Sequence, residues 1–244
     1  MLAFATLAVL SLVAAPRTDI KSGEDVIRAM HDKYANTWYK KLSFVQRAIW
    51  FDGRPEGEWW EAMFSPGRLR IDIAPIDSGR GVVYKSDSVF RFANKKVAGG
   101  GPGQNALLIL GFDVYNQAPE RSIEILKKEG FDLSKVREDT WQGKAVYVVG
   151  AAKGDEKTNQ FWIEKDRLLF AKVIEPGQNG SISDIRFEKY VKLGGGWLAT
   201  ECLFYTDGKL SFHEIYRDWK INDAVNDDLF NTKEWKWPGW VPKH

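Results

Sequence analysis

The stretch Lys41-Leu-Ser-Phe-Val-Gln-Arg-Ala-Ile-Trp50 decides the fold. Leu42, Phe44, Ala48 and Trp50 alternate with Ser43, Val45, Arg47 and Ile49. A period of two belongs to a strand with one buried face, and a helix does not produce it. Asp52-Gly53 and Pro55 then break the run, as turn residues do. The same texture follows. Glu58 to Phe64 reads as a second strand, ended by Pro66-Gly67, and Leu69, Ile71 and Ile73 mark a third. Val82 to Tyr84 and Val89 to Phe92 form a hairpin about Ser86-Asp87. Further strands fall at Val146 to Ala151, Gln160 to Glu164, Leu168 to Ile174, Ile182 to Val191, Trp197 to Tyr205 and Lys209 to Trp219. The pattern gives about ten antiparallel strands.

Two helices interrupt this meander. Ser22 and Asp25 have the spacing of a capping box, and Val26, Ile27, Met30, Tyr34 and Trp38 recur at helical intervals. A second helix starts at Pro119 and ends at Gly130. Between strands and second helix, Ala98 to Gln104 is glycine-rich and reads as a flexible hinge before the apolar segment Leu107 to Tyr115. No Gly-Lys-Ser/Thr follows the glycines, so a phosphate loop is rejected. A sheet of this many strands curls. The expected architecture is mainly β, a strongly curved, unclosed antiparallel half-barrel with helices covering its concave face.

Leu2 to Val13 is almost wholly apolar, and Ala14 and Ala15 follow. This predicts a secretory signal over residues 1–18, ahead of a single domain over 19–244. The run is shorter than the ~18–20 residues a spanning helix needs. The alternative is a buried first element. Formal charge is +2, with 35 basic and 33 acidic residues, which lacks the basic excess of a nucleic-acid binder. Cys202 is the sole cysteine, so no internal disulfide forms and packing alone must hold the fold. Three scattered histidines make no zinc signature, and nothing calls for a cofactor.

If Asp207-Gly208 is a two-residue hairpin loop, Thr206 faces Lys209 and Cys202 lies opposite His213. A thiol beside an imidazole is the raw material of a nucleophilic dyad; the plainer reading is a satisfied pair on a strand surface. The same register sets Glu201 opposite Glu214, two like charges that either splay into water or share a cation.

Several motifs, in order, resemble those of the periplasmic lipoprotein-carrier family: outer-membrane lipoprotein-sorting, LolA-like proteins, with sigma-factor regulators as relatives. They are Met30-His31-Asp32-Lys33-Tyr34 with Trp38-Tyr39, Val82-Val83-Tyr84-Lys85-Ser86-Asp87, Phe161-Trp162-Ile163-Glu164-Lys165-Asp166, Trp197-Leu198-Ala199-Thr200 after three glycines, and Leu229-Phe230 after Asn226-Asp227-Asp228. The resemblance covers roughly Gly23 to Phe230. Two positions depart from it. Ser88 stands where the hairpin glycine is usual, and Ser65 precedes Pro66 where the family often has a basic residue that handles cargo. Arg68 or Arg70 is the nearby substitute for that charge.

The resemblance implies a cargo cavity between sheet and helices. Its candidate wall residues are Trp60, Phe64, Ile71, Tyr84, Phe90, Phe92, Leu107, Leu110, Trp162, Phe187 and Phe204. Trp59 and Trp60 are adjacent in one strand, so only one can face inward. The implied function is an exported, monomeric periplasmic carrier of lipid or lipoprotein acyl chains, without catalysis. An inner-membrane donor and an outer-membrane acceptor would be its partners. A lipid- or stress-sensing regulator of the same fold is the alternative, and an enzyme using Cys202 and His213 a distant third. The tail, with Trp235, Trp237, Trp240, Pro238 and Pro242, is expected to lie over a groove.

Overall fold

A computed structural model describes residues 19–177 and 179–243, so the expected signal lies outside the described residues. In chain order the strands are β1 (Lys41–Trp50), β2 (Gly57–Phe64), β3 (Arg68–Ile73), β4 (Arg80–Lys85), β5 (Ser88–Ala93), β6 (Lys96–Pro102), β7 (Val136–Trp141), β8 (Lys144–Val149), β9 (Gln160–Glu164), β10 (Phe170–Pro176), β11 (Ile182–Leu193), β12 (Gly196–Thr206) and β13 (Lys209–Ile221). All thirteen join one antiparallel sheet, ordered β6-β5-β4-β3-β2-β1-β13-β12-β11-β10-β9-β8-β7. The sheet is not closed into a barrel; β6 and β7 are its free edges. The fold is therefore the expected unclosed half-barrel, with thirteen strands where the pattern suggests about ten.

One added strand is the glycine-rich segment. Expected to be a flexible hinge, it is instead edge strand β6, whose Gly99, Gly100 and Gly101 pair with Arg91, Phe90 and Val89. Ladder hydrogen bonds use backbone atoms alone, and an edge tolerates Pro102. Gly100 is required for the close approach: a Cβ there would sit 2.5 Å from the Val89 carbonyl oxygen.

Helices α1 (Gly23–Tyr34), α2 (Ala106–Gly111) and α3 (Pro119–Lys128) pack on the inner, concave face. The predicted capping box is present. Ser22 Oγ accepts from the Asp25 amide at 3.2 Å, and the Asp25 carboxylate accepts from the Ser22 amide at 2.9 Å. Val26, Ile27 and Met30 of α1 are fully buried, each contributing about 1.5–3 kcal/mol by leaving water. Trp38 stacks on Tyr115, with ring centroids 3.8 Å apart. The β11–β12 turn presses on this stack, since a Cβ on Gly196 would fall 2.5 Å from Trp38 Cδ2.

A second, smaller core lies on the outer face. Ala62, Val83 and Phe92 of the sheet pack there with Val225 and Phe230 of the C-terminal segment, joined by Phe64, Phe90, Leu229, Trp235 and Trp240. The tail thus covers the outside of the sheet, not the concave groove. Buried Arg70 fixes it, with two nitrogens on the Asp72 carboxylate at 2.7 and 2.8 Å and further donation to the carbonyls of Leu229 at 2.9 Å and Lys236 at 2.6 Å. Trp235 Nε1 donates to Asp72 at 3.0 Å. Arg68 pairs with Asp227 of the same segment at 2.6 Å.

Candidate functional site

Along β1 the inner face runs from Leu42 and Phe44 beneath the helices, past Gln46, to Trp50 at the strand end. Midway lies a hollow of about 70 Å³. Its floor is Phe44, Gln46, Glu61, Met63, Leu69, Ile71, Phe187, Glu214 and Tyr216, and its roof is α2 with Leu107, Leu108 and the following Phe112. Small-molecule pockets are usually roughly 300–1,000 Å³, so this hollow admits a large ligand only if its roof moves.

The roof is short and tied at both ends. Asn105 caps α2, its side-chain oxygen accepting from the Leu107 amide at 3.0 Å. Gly111 lies on the Phe187 ring, where a Cβ would meet Cε2 at 2.7 Å. Beyond it, buried Asp113 accepts from Ser65 Oγ at 2.7 Å and from the Gly67 amide at 2.9 Å. Burial pushes this carboxyl up to about 7, against the pull of those two donors. Asn116 Nδ2 donates to Ser65 Oγ and to the Tyr39 carbonyl, both at 3.1 Å. Ser65, the residue that departs from the carrier pattern, therefore fastens the end of the roof to the β2–β3 turn.

Toward the far strand ends the inner face continues as Trp50, Trp59, Phe204 and Phe212, all half-buried. Their ring centroids stand 5.1–6.1 Å apart. Apolar surface at the edge of a hollow, incompletely covered by the protein itself, suits contact with another apolar body.

The hollow also holds two buried acids. The Glu61 carboxyl is pushed well above the usual range by burial first and by Glu214 second. Glu214 is raised to about 7 by burial, opposed by the Tyr216 hydroxyl, which donates at 2.8 Å, and by the nearby Gln46 amide. That amide nitrogen makes no hydrogen bond of ordinary geometry; its proximity still favours the ionised carboxyl.

Ile71, Leu107 and Phe187 line the hollow. Tyr84, Leu110 and Phe204 belong to the same inner core. Trp60, Phe64, Phe90 and Phe92 lie on the outer face beneath the tail, Trp60 against Trp240 at 5.5 Å. Trp59, not Trp60, faces inward. Trp162 also points away from the groove: its neighbours Phe161 and Ile163 are in the inner core, and Lys172 Nζ sits 4.3 Å from its ring centroid. Gln46 and Glu61 are absent from the residues expected on sequence grounds, and Glu214 is expected there only as a partner of Glu201, not as part of a cavity wall. Their signal is phase, because each alternates in step with inward aromatics or aliphatics of its own strand.

The expected Cys202–His213 pair is not formed. The turn holds Thr206 opposite Lys209, but an irregularity between Phe204 and Tyr205 shifts the register by one residue. Cys202 then faces Glu214, and His213 faces Leu203. One slipped residue sends side chains to opposite faces. Cys202 is buried inside, where desolvation pushes its thiol up, and His213 Nε2 lies 3.3 Å from Glu201 on the outside. Glu201 faces Ile215, so the Glu201–Glu214 pair is absent too; the acid that shares a face with Glu214 is Glu61.

A larger hollow, about 670 Å³, lies on the other side of the sheet between the tail and Trp60, Ile76 and Lys95, with Trp235 and Trp237 as a wall. Among the described residues no helix is long and apolar enough to cross a membrane.

No protein-family profile matches the chain, and no curated protein matches it. Solved structures do. A DUF1329 family protein from Desulfovibrio piger aligns over 86% of this chain and 95% of its own, with a TM-score of 0.54 and 14% identity. A domain provisionally assigned to outer membrane lipoprotein sorting, from Vibrio parahaemolyticus, aligns over 86% and 96%, with a TM-score of 0.55 and 13% identity. A LolA superfamily protein from Nitrosomonas europaea aligns over 86% and 97%, with a TM-score of 0.50 and 14% identity. At such identities the likeness is one of fold.

Proposed function

We propose that this chain, which has a LolA-like fold, is an exported carrier that takes lipid or lipoprotein acyl chains between α2 and the concave sheet face. The observation that carries this reading is the inner face itself. It leads from a roofed hollow with mainly apolar walls to the half-buried aromatics Trp50, Trp59, Phe204 and Phe212. Each methylene leaving water contributes about 0.8 kcal/mol, so about ten supply the roughly 8 kcal/mol of a micromolar complex. In this reading α2 lifts from Phe187 when cargo enters, and no bond is made or broken. The protein works as a periplasmic monomer between a membrane donor and an acceptor.

The test has two arms. Protein purified from membranes is analysed by native mass spectrometry, with copurified lipid as the expected result. Delipidated protein is titrated with a fluorescent fatty-acyl probe, and Leu107→Glu, at a half-buried roof position, is expected to weaken uptake at least tenfold. An empty protein that takes up no acyl probe at micromolar concentration overturns the proposal. A tight protein partner in its place would support the sensor instead.

A further inference from the structure

We infer that Glu61, Glu214 and the side-chain amide of Gln46 form a subsite in the groove for the primary ammonium group of an amphiphilic cargo. The inference rests on the carrier reading and narrows its cargo class: the hydrocarbon lies along the apolar walls and the ammonium sits at the hollow.

The three side chains are buried, at 4%, 8% and 1% exposure. All three line the same hollow. Neither carboxyl forms an ion pair among the described residues. The one hydrogen bond of ordinary geometry to either comes from Tyr216. Other buried acids of this protein are answered. Asp72 has Arg70, Glu164 has Arg167 and Lys144, and Asp113 has Ser65 and Gly67. A buried carboxylate without a cation is strongly unfavourable, and the Gln46 amide nitrogen is unpartnered as well. The protein thus maintains, inside a largely apolar groove, one carboxyl with no hydrogen bond from another side chain among the described residues, a second held by Tyr216 alone, and an amide nitrogen with no partner of ordinary geometry.

Their chemistry selects the partner. A primary ammonium carries three N–H donors. Two carboxyls supply two acceptors, and a half-turn of the Gln46 amide presents its oxygen as the third. The surrounding walls add no competing charge: β3 contributes Leu69 and Ile71, β11 Phe187, and the roof Leu107, Leu108 and Phe112. The other titratable neighbours are Tyr216 on β13, Cys202 on β12 and Tyr84 on β4, all neutral near pH 7. A hard divalent ion such as calcium wants six to eight oxygens, and among the described residues no group of three metal-ligating side chains gathers. Anionic head groups would meet two carboxyls.

The pH dependence follows. Burial pushes the Glu214 carboxyl up to about 7, whereas an alkylammonium stays charged well above that. Raising the pH from 6 to 8 favours loss of a proton from the coupled Glu61–Glu214 pair, and amine affinity should rise with it.

Delipidated full-length protein is titrated calorimetrically with decylamine, 1-decanol and decanoate at pH 6 and pH 8. Decylamine should bind at least tenfold tighter than decanol at pH 8 and lose most of that advantage at pH 6. Glu214→Gln and Glu61→Gln should each reduce the ratio of amine to decanol affinity at pH 8 at least fivefold, and measurable decanol binding by each variant reports an intact groove. Equal binding of the three chains, tightest binding of decanoate, or an amine preference that survives both substitutions overturns the inference and leaves the carrier reading standing. Failure of all three chains to bind refutes the carrier reading itself.

Discussion

Replacing Arg70 by alanine should cost far more than replacing Arg47, although both arginines grip a carboxylate with two nitrogens at 2.7 and 2.8 Å. The difference is burial. The Arg70 and Asp72 side chains are 5% and 3% exposed, and those of Arg47 and Glu56 are 52% and 50% exposed. Removing Arg70 strands the Asp72 carboxylate in the outer core, with only Trp235 Nε1 for company, and frees the carbonyls of Leu229 and Lys236. Breaking a buried pair in this way costs about 3–5 kcal/mol. In urea, with a slope of about 2–3 kcal/mol per molar, the unfolding midpoint should fall by roughly 1–2 M. Arg47→Ala lies in water with its partner, and its midpoint should stay where it was. The double substitution Arg70→Met, Asp72→Asn, which removes both charges, should recover much of the loss. Equal midpoint shifts for Arg70→Ala and Arg47→Ala would refute the argument that the tail is clamped to the outer face by a desolvated ion pair.

Two further outcomes follow from packing and protonation. Asp113 is held up to about 7 against an ordinary value of 3.8, so the folded state keeps a proton that the unfolded state loses. Its contribution is full below about pH 4, falls as pH rises toward 7 and is flat above, an order-of-magnitude loss of about 4 kcal/mol; the stability difference between wild type and Asp113→Asn, from urea unfolding at pH 4.5 and 7.5, should fall by a large part of that, and a difference that rises with pH contradicts the assignment. Gly196→Ala puts a methyl 2.5 Å from Trp38 Cδ2, with Trp38 already stacked on Tyr115; overpacking of this kind costs about 1–3 kcal/mol, a fall of roughly 2–4 °C in Tm per kcal/mol by calorimetry, and an unchanged Tm means the turn is free to move away.

Much of this fold can be read from alternation. The strands from Lys41 onward, the Ser22 capping box and the Pro119 helix lie where periodicity puts them. What fails does so for local physical reasons. The hinge expectation fails at Gly99, Gly100 and Gly101 because side-chain pattern is blind to strands held by backbone alone. The Cys202–His213 register fails because Ser211 is an extra residue that alternation cannot count; its hydroxyl donates to the Phe204 carbonyl at 3.0 Å. The groove suffers from a bias toward aromatics. Size alone assigns Trp60, Phe64, Phe90 and Phe92 to it, yet the tail supplies an outer core for them. Of the polar groups facing the hollow, Gln46 and Glu61 escape notice and Glu214 is given the wrong partner, although Glu61 sits in phase with Trp59 and Met63, and Glu214 with Phe212 and Tyr216.

The central seam of the sheet has a consequence for how the chain acquires its shape. β1 finds its second neighbour only in β13, and Ser43 and Asn222, 179 residues apart, share a hydrogen bond of 2.8 Å across that junction. Each half is a run of hairpins that can zip from neighbour to neighbour, while their union must wait for the last strand to leave the ribosome. Distant pairings of this kind slow folding. Until that union, β1 and β12 each present a raw edge, and β13 fills the gap by pairing with both.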